Sequence, residues 1–331
     1  MREEEIRPEA LFNDYLALAE KDITTFFLSS PFQYVPCPAC QATKTSFQFR
    51  KLGFDYEECE QCGSLYVNPR PPADAFHRYY SDSPSVNFWA NHFYRETEKT
   101  RRIKLVQPKA ALVAAKIEKY YGTPEFGTII LDIGSGYGVL CEELAAILPH
   151  GCHVTGVEPS LALGKVCKEK GIPIIPKHME EVIPADLPEG TVAAAISFEL
   201  LEHLHNPATF LNACHRVLPK GALLILTTLS WAGFDLQILR ERSRSIHPPH
   251  HINFLTPASI RTLLERHGFE CCEVTTPGKL DVDIAAKQIT DVKDHFIRSV
   301  LSSDAATREA FQEVLASTGL SSHMMVVARK R

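Results

Sequence analysis

From residue 123 onward, short apolar runs alternate with segments whose apolar residues recur at helical spacing. Such runs are typical of strands that are buried on both faces of a sheet. They end at Ile133, Val157, Phe198 and Leu229. Strands that alternate with helices build a parallel sheet with helices on both of its faces. The pattern predicts an α/β fold with a doubly wound sheet over residues 123–331.

The first 122 residues follow a different pattern. Apolar side chains at helical intervals in residues 5–28 predict an amphipathic helix. A cysteine-containing segment follows, and then an aromatic-rich stretch that leads into a second predicted helix, from Arg101 to Tyr121. We therefore expect an N-terminal helix, a small ribbon, a linker with a lead-in helix, and the sheet domain, with the limits 1–30, 31–72, 73–122 and 123–331.

The first predicted strand of the sheet ends in a glycine-rich loop. Asp132 closes the strand, and Gly134, Gly136 and Gly138 follow at every second position. Glycine has no Cβ and reaches backbone conformations closed to other residues, so such a loop brings backbone close to a ligand. The following helix turns its N-terminus toward the same ligand. The loop predicts a nucleotide-type cofactor site.

The spacing of these glycines differs from the fingerprint that binds a dinucleotide pyrophosphate. The second strand ends on Glu158, where a carboxylate can accept both hydroxyls of a ribose. Asp132 lies where a carboxylate could attract an amino group or a sulfonium. A ligand with a ribose and a cationic amino-acid tail fits these residues better than a dinucleotide does.

In these features the chain resembles the class I S-adenosylmethionine-dependent methyltransferases from about Lys104 to Arg331. The likeness extends to Thr191–Phe198 as the fourth strand and to Pro219-Lys220-Gly221 before the next strand. The resemblance implies a Rossmann-like, seven-stranded sheet with S-adenosylmethionine as cofactor. Its cofactor contacts would be Asp132, Gly134, Gly136, Gly138, Glu158, Met179, Glu180, Phe198 and Glu199.

The end of the chain departs from the smallest members of this family. Cys271–Thr276 and His323–Arg329 resemble the sixth and seventh strands, which the family pairs directly. Here helical periodicity fills an insertion at about residues 278–321. The insertion could serve as a lid, a substrate-binding element or a dimer interface, so the sequence leaves homo-oligomer formation open.

Four of the ten cysteines form two Cys-x-x-Cys pairs within the predicted ribbon. They are Cys37, Cys40, Cys59 and Cys62. Two such pairs at this separation can supply four thiolates to one zinc ion. A four-thiolate site has no open coordination position, so the zinc is expected to stabilise the fold rather than to catalyse. The other six cysteines fit helix and strand patterns and are expected to be small core residues.

Two clusters could carry the chemistry of methyl transfer, which needs an aligned nucleophile and a group that removes its proton. The first is Glu199-Leu200-Leu201-Glu202-His203, and the second is His247-Pro248-Pro249-His250-His251. Glu199, Glu202, His203 and His251 resemble the metal ligands of O-methyltransferases of small-RNA 2'-O-methylation and of ubiquinone biosynthesis. They would hold a divalent ion that acidifies a substrate hydroxyl. The alternative is catalysis without metal, with Glu202 capping backbone groups and His203 lining the pocket.

The second cluster also resembles that of zinc-containing deoxysugar C-methyltransferases. Of that family's Tyr-His-Glu-His segment, this chain keeps the last residue, His251, and has Pro248 and His250 where the family has Tyr and Glu. Both resemblances place His251 in the active site, as a metal ligand or as general base. The catalytic candidates are therefore His251, His250, Glu202 and His203.

The net charge and the length of the apolar runs limit the classes of partner that the chain is expected to bind. Lys and Arg total 35 and Asp and Glu total 40, which gives a net charge of −5 and no general attraction to phosphate backbones or anionic membranes. The predicted ribbon is itself neutral, which argues against nucleic acid. No apolar run approaches the length of a membrane span and no signal peptide is evident, so we expect a cytoplasmic protein.

The sequence thus predicts an enzyme that methylates a hydroxyl or a carbon of a small metabolite or sugar-type acceptor. The alternative is a binding module whose ribbon recruits a partner or RNA, with metal-dependent RNA 2'-O-methylation as its enzymatic form.

Overall fold

The computed structural model describes residues 2–331 and contains thirteen α-helices and eleven strands in that range. The strands are β1 (Thr45–Lys51), β2 (Phe54–Cys59), β3 (Leu65–Val67), β4 (Thr128–Ile133), β5 (His153–Val157), β6 (Ile174–Ile175), β7 (Thr191–Phe198), β8 (Leu223–Leu229), β9 (Asn253–Phe254), β10 (Phe269–Thr275) and β11 (His323–Lys330). The helices are α1 (Glu9–Phe26), α2 (Ala73–Asp82), α3 (Pro84–Phe88), α4 (Arg95–Arg101), α5 (Gln107–Tyr120), α6 (Val139–Ile147), α7 (Leu161–Glu169), α8 (Pro207–Val217), α9 (Phe234–Leu239), α10 (Pro257–Arg266), α11 (Asp281–Lys287), α12 (His295–Leu301) and α13 (Ala305–Ser317). Two π-helical turns, Trp89–Tyr94 and Arg102–Val106, flank α4.

The chain packs into two compact units, each built from separate stretches of sequence. The first unit contains the described residues up to Arg101 together with Leu229–Ile260 and Thr275–Met324. The second contains Arg102–Thr228, Arg261–Val274 and Met325–Arg331.

The second unit is built on a seven-stranded sheet in the order β10-β11-β8-β7-β4-β5-β6. Strands β4 to β8 pair in parallel, and every residue of the central strand β4 is buried. Because strands buried on both faces need apolar side chains on both faces, the apolar runs of the sequence mark them. The predicted α/β class with a Rossmann-like, seven-stranded sheet is confirmed.

The first unit contains a four-stranded antiparallel sheet in the order β1-β2-β3-β9. Three of its strands come from the cysteine-containing segment, with the turn at Leu52-Gly53 joining β1 to β2. The fourth strand, β9, comes from a stretch that the sequence analysis assigned to residues 123–331. The apolar pattern of two residues is too short to predict such a strand.

Helices cover this sheet through aromatic side chains. Phe27, which follows α1, is completely buried and packs against Phe54, Phe76 and Tyr79. Phe76 and Tyr79, two of the aromatic residues after the ribbon, therefore belong to the interior of the first unit. Between β10 and β11, helices α11, α12 and α13 pack with α9 around a separate apolar cluster. Within residues 2–331, no helix has both the length and the apolar character required to cross a bilayer.

Replacing Phe27 with alanine should lower the free energy of unfolding by about 3–5 kcal/mol, because it removes a buried ring and leaves a cavity. Leu28→Ala is the control, since Leu28 is 60% exposed and should change stability by at most about 0.5 kcal/mol. Urea denaturation followed by tryptophan fluorescence, to which Trp231 of the same apolar cluster contributes, measures both. Equal midpoints for the two variants would contradict this packing.

Candidate functional site

The glycine loop of the second unit leaves β4 with its backbone in a conformation that glycine favours. Gly134, Gly136 and Gly138 all have positive φ, at 76°, 55° and 72°. A Cβ on Gly138 would lie 2.4 Å from Cδ1 of Ile172, so a side chain there would require Ile172 to move and would be strained by the positive φ. Gly138 is the residue before α6, whose first backbone N–H groups therefore face the loop.

Glu158 closes the loop from the next strand. Its Oε2 accepts a hydrogen bond from the backbone nitrogen of Gly136 at 2.9 Å, and its Oε1 accepts one from Ser160 at 2.9 Å. Burial raises the pKa of Glu158, and these two backbone donors oppose the rise. The carboxylate is thus fixed against the loop at the end of β5.

Asp132 is the most buried carboxyl of the loop, with 3% of its surface exposed. Burial raises its pKa to about 7, and the nearby charge of Glu158 adds to the rise. The thiol of Cys141 donates to Oδ2 at 3.3 Å and acts in the opposite direction. An acid whose pKa lies near neutrality in a loop of this kind is typical of a functional site.

Two further predicted cofactor contacts follow β6 in a short 3₁₀-helical turn, Met179–Glu181. Met179 is buried and Glu180 is exposed. The backbone oxygen of Glu180 accepts a hydrogen bond from Arg216 at 2.8 Å, which ties the turn to α8. The turn thus carries a buried apolar side chain followed by an exposed acidic one.

The end of β7 carries a charged pair. Glu199 has a positive φ of 49°, and its Oε1 accepts hydrogen bonds from Lys109 at 3.1 Å and from Thr227 at 2.8 Å. The Lys109 ammonium also lies 5.1 Å from the centre of the Phe198 ring, a cation–π distance. A non-glycine residue with positive φ costs conformational energy, and such residues cluster at functional sites.

Glu202 and His203 belong to the next turn, Leu201–His203. Glu202 is 1% exposed, and its Oε2 accepts a hydrogen bond from the Thr228 hydroxyl at 2.8 Å. Burial raises the pKa of Glu202, and the charge of Glu199 raises it further. His203 is half-buried. Three residues of the predicted metal site thus lie in the segment that directly follows β7 in the second unit, namely Glu199, Glu202 and His203.

His250 and His251 belong to the first unit and have different surroundings. His250 is buried, and its Nε2 shares a hydrogen bond with the Tyr79 hydroxyl. His251 is half-buried, and its Nδ1 lies 2.6 Å from the backbone oxygen of Ser245. His250 is thus a buried partner of a tyrosine, and His251 is the more accessible of the two.

The four cysteines of the ribbon converge in the first unit. Their sulfur atoms all lie within 4.8 Å of one another, and the closest pairs, Cys37–Cys62 and Cys40–Cys59, are 3.5 Å apart. A tetrahedral site with Zn–S bonds of about 2.3 Å separates its sulfurs by about 3.8 Å. The donor set and its spacing therefore fit a four-thiolate metal site.

Several polar residues beside these candidates were not predicted from the sequence. Lys109 and Thr227 hold Glu199, Thr228 holds Glu202, and Cys141, which was expected to be a core residue only, donates to Asp132. The sequence offered one signal by which Thr227 and Thr228 could have been predicted, because they are polar residues at the end of an apolar strand. Lys109 carries no such signal, because it lies in an ordinary amphipathic helix.

A buried parallel sheet, a glycine loop at the end of its central strand and an acid at the end of the next strand define a nucleotide-type cofactor domain. The family model described as "Methyltransferase domain" matches residues 101–274, somewhat more than half of the chain. The chain belongs to this methyltransferase family.

The chain is similar to proteins named ubiquinone biosynthesis O-methyltransferase. The protein from Maricaulis maris (strain MCS10) is 34% identical over 159 residues, which are 44% of this chain and 60% of that protein. The human mitochondrial protein is 30% identical over 161 residues, which are 44% of this chain and 42% of that protein. The chain spans less than two thirds of the length of either relative.

Among solved structures, the plantazolicin methyltransferase in complex with SAH is similar over 77% of this chain and 94% of its own, with 14% identity and a TM-score of 0.49. Magnesium protoporphyrin IX methyltransferase from Synechocystis PCC 6803 with bound SAH is similar over 74% and 97%, with 13% identity and a TM-score of 0.47.

Proposed function

We propose that this chain transfers a methyl group from S-adenosylmethionine to a hydroxyl group of a small acceptor. The observation that carries the proposal is the loop from Asp132 to Gly138 together with Glu158, in a chain that belongs to the methyltransferase family. Oxygen as the accepting atom is supported by the relatives, which are named O-methyltransferases.

The cofactor would be held by groups with distinct tasks. The loop glycines let the amino-acid tail approach the backbone, and Glu158 would bind the ribose hydroxyls. The ionised form of Asp132 would attract the cationic end of the cofactor. Met179 and Glu180 would contact the adenine, and Phe198 and Glu199 would lie beside the methyl donor.

If Asp132 attracts a cation, cofactor affinity depends on pH in a defined direction. Its pKa is about 7 without ligand, so below that value binding must first remove a proton. Affinity should therefore rise about 10-fold per pH unit up to about pH 7 and then level off. Calorimetry with S-adenosylmethionine between about pH 5.5 and 8, in buffers of different ionisation enthalpy, measures both affinity and proton release.

Asp132→Asn is the matched variant, because it keeps the shape of the side chain and removes its titration. It should bind the cofactor weakly at every pH and release fewer protons than the native chain. An absence of binding by the native chain at high micromolar ligand and neutral or higher pH would refute the methyltransferase activity. Binding with no dependence on Asp132 would refute only the role of this residue.

We propose that His251 acts on the acceptor, either as general base or as a ligand of a divalent ion with Glu199, Glu202 and His203. Carboxylate and imidazole ligands suit Mg²⁺, Mn²⁺ or Zn²⁺, and such an ion would acidify the acceptor hydroxyl. Within the second unit, the hydrogen bonds to Glu199 and Glu202 support a functional use of these carboxylates.

Replacing His251 with alanine should slow methyl transfer by about 10²- to 10⁴-fold, as for loss of a general base, while cofactor affinity stays nearly constant. His150→Ala, a change at an exposed histidine of the second unit, is the control. Turnover after EDTA treatment under conditions that retain the zinc expected in the cysteine ribbon, with Mg²⁺, Mn²⁺ or Zn²⁺ added back, separates the two roles. Full activity in chelator would exclude the metal site, and full activity of His251→Ala would exclude both roles.

We further propose that Cys37, Cys40, Cys59 and Cys62 hold one structural zinc ion. Four thiolates are the donor set of closed structural sites, and their spacing supports such an ion. Such an ion would stabilise the fold, because the free energy of binding a structural zinc contributes to the free energy of folding.

Cys59→Ser should remove most of the bound zinc and strongly destabilise the first unit, since structural zinc contributes about 10–16 kcal/mol of binding free energy. Cys152→Ser, at a cysteine of the second unit outside the cluster, should leave the zinc content unchanged. Elemental analysis and thermal denaturation of protein purified without chelator measure both effects. A native chain without tightly held zinc would refute the proposal.

A further inference from the structure

The strand that follows His251 belongs to the sheet that carries the cysteines. β9 pairs antiparallel with β3, with Phe254 opposite Leu65 and Asn253 opposite Tyr66. The backbone nitrogen of Val67 donates to the oxygen of Ile252 at 3.0 Å, which continues the ladder to the residue after His251. The backbone that carries His251 is therefore fixed by the ribbon sheet on its C-terminal side.

Tyr56 of β2 reaches the same backbone directly. Its hydroxyl donates to the backbone oxygen of His251 at 2.8 Å, and its side chain is completely buried. A backbone oxygen can only accept, so the hydroxyl of Tyr56 is the donor in this hydrogen bond. A ribbon side chain thus holds the peptide group of the candidate catalytic histidine.

The imidazole of His251 is oriented by the preceding loop. A backbone oxygen can only accept, so the 2.6 Å contact with Ser245 requires the proton to be on Nδ1. In the neutral ring the lone pair is then on Nε2. The ribbon also holds this loop, because Nζ of Lys51 in β1 donates to the backbone oxygen of Ser243 at 2.7 Å.

We propose that Tyr56 is a positioning residue for His251. Its hydroxyl holds the His251 backbone where Nδ1 meets the Ser245 carbonyl, and Nε2 is thereby fixed as the nitrogen that accepts a proton or binds a metal. The inference rests on the proposed function in one respect, namely that His251 takes part in the reaction. Besides holding the proposed zinc ion, the ribbon would then orient a functional side chain.

Tyr56→Phe tests this inference, because it removes the hydroxyl and keeps the buried ring. Tyr66→Phe is the matched control: Tyr66 is equally buried in β3 of the same sheet, and its hydroxyl has no hydrogen-bond partner within residues 2–331. The readout is the tautomer of His251, measured by ¹⁵N NMR on histidine-labelled protein at about pH 8, where imidazole is neutral. The His251 signals are assigned from the spectrum of His251→Gln.

In the native chain and in Tyr66→Phe, His251 should be predominantly the Nδ1–H form. In Tyr56→Phe the ratio of this form to the Nε2–H form should fall about 5-fold, the effect of losing one hydrogen bond of ordinary strength. A native chain that is mainly Nε2–H would overturn the inference without any variant. It would also be overturned if Tyr56→Phe kept the native ratio, or if Tyr66→Phe shifted it equally.

The test is independent of methyl transfer, so its failure and that of the proposed function are distinguishable. A chain that binds no S-adenosylmethionine but shows the Tyr56-dependent tautomer would refute the function and keep the positioning. With an acceptor in hand, Tyr56→Phe should lower kcat and leave the cofactor affinity unchanged, whereas Tyr66→Phe should change neither. An unchanged kcat in Tyr56→Phe would contradict the role of the hydroxyl in the reaction.

Discussion

The parallel register of β4 with its two neighbours is the constraint on which the second unit depends. Asp132 stands opposite Gly156 of β5 and Ile196 of β7, so the three strands end near the same level of the sheet. The glycine loop, Glu158 and Glu199 therefore leave the sheet together. Because β4 is buried throughout, a shift of its register would disturb the packing on both faces of the sheet.

Acidic side chains accumulate at this edge of the sheet, and the fold alone does not require them there. Asp132, Glu158 and Glu202 are all buried, and burial raises the pKa of each. Keeping a carboxyl in such a place costs stability, and each one is compensated by a hydrogen bond from a thiol, a backbone nitrogen or a hydroxyl. Acids retained at this cost are better explained by ligand binding than by folding.

The first unit is organised around the ribbon sheet and the segment that completes it. Arg70 is 2% exposed and donates from its guanidinium to the backbone oxygen of Val67 and to Oδ1 of Asn253, both at 3.1 Å. Trp231 donates from its ring nitrogen to Glu58 of β2 at 2.7 Å. The stretch from residue 229 to 260 is thus held to the ribbon by buried polar contacts as well as by strand pairing. Such contacts specify one arrangement, because each buried donor needs its own acceptor.

Features that depend on residues close together in the chain could be predicted from the sequence. Apolar runs predicted the buried strands, glycine at alternate positions predicted the loop after β4, and two Cys-x-x-Cys pairs predicted where four sulfurs would meet. Each of these follows from side-chain period or backbone freedom within a few residues, so neighbours in the chain suffice.

Contacts between distant segments of the chain became evident only from the three-dimensional structure. That β9 joins the ribbon sheet, that Tyr56 holds His251 and that Lys109 pairs with Glu199 could not be derived from the sequence. Their partners are 90 to 195 residues apart in the chain, and a tyrosine or a lysine fits many places on an amphipathic pattern. Only tertiary packing brings these distant segments together and so determines which partner each polar group meets.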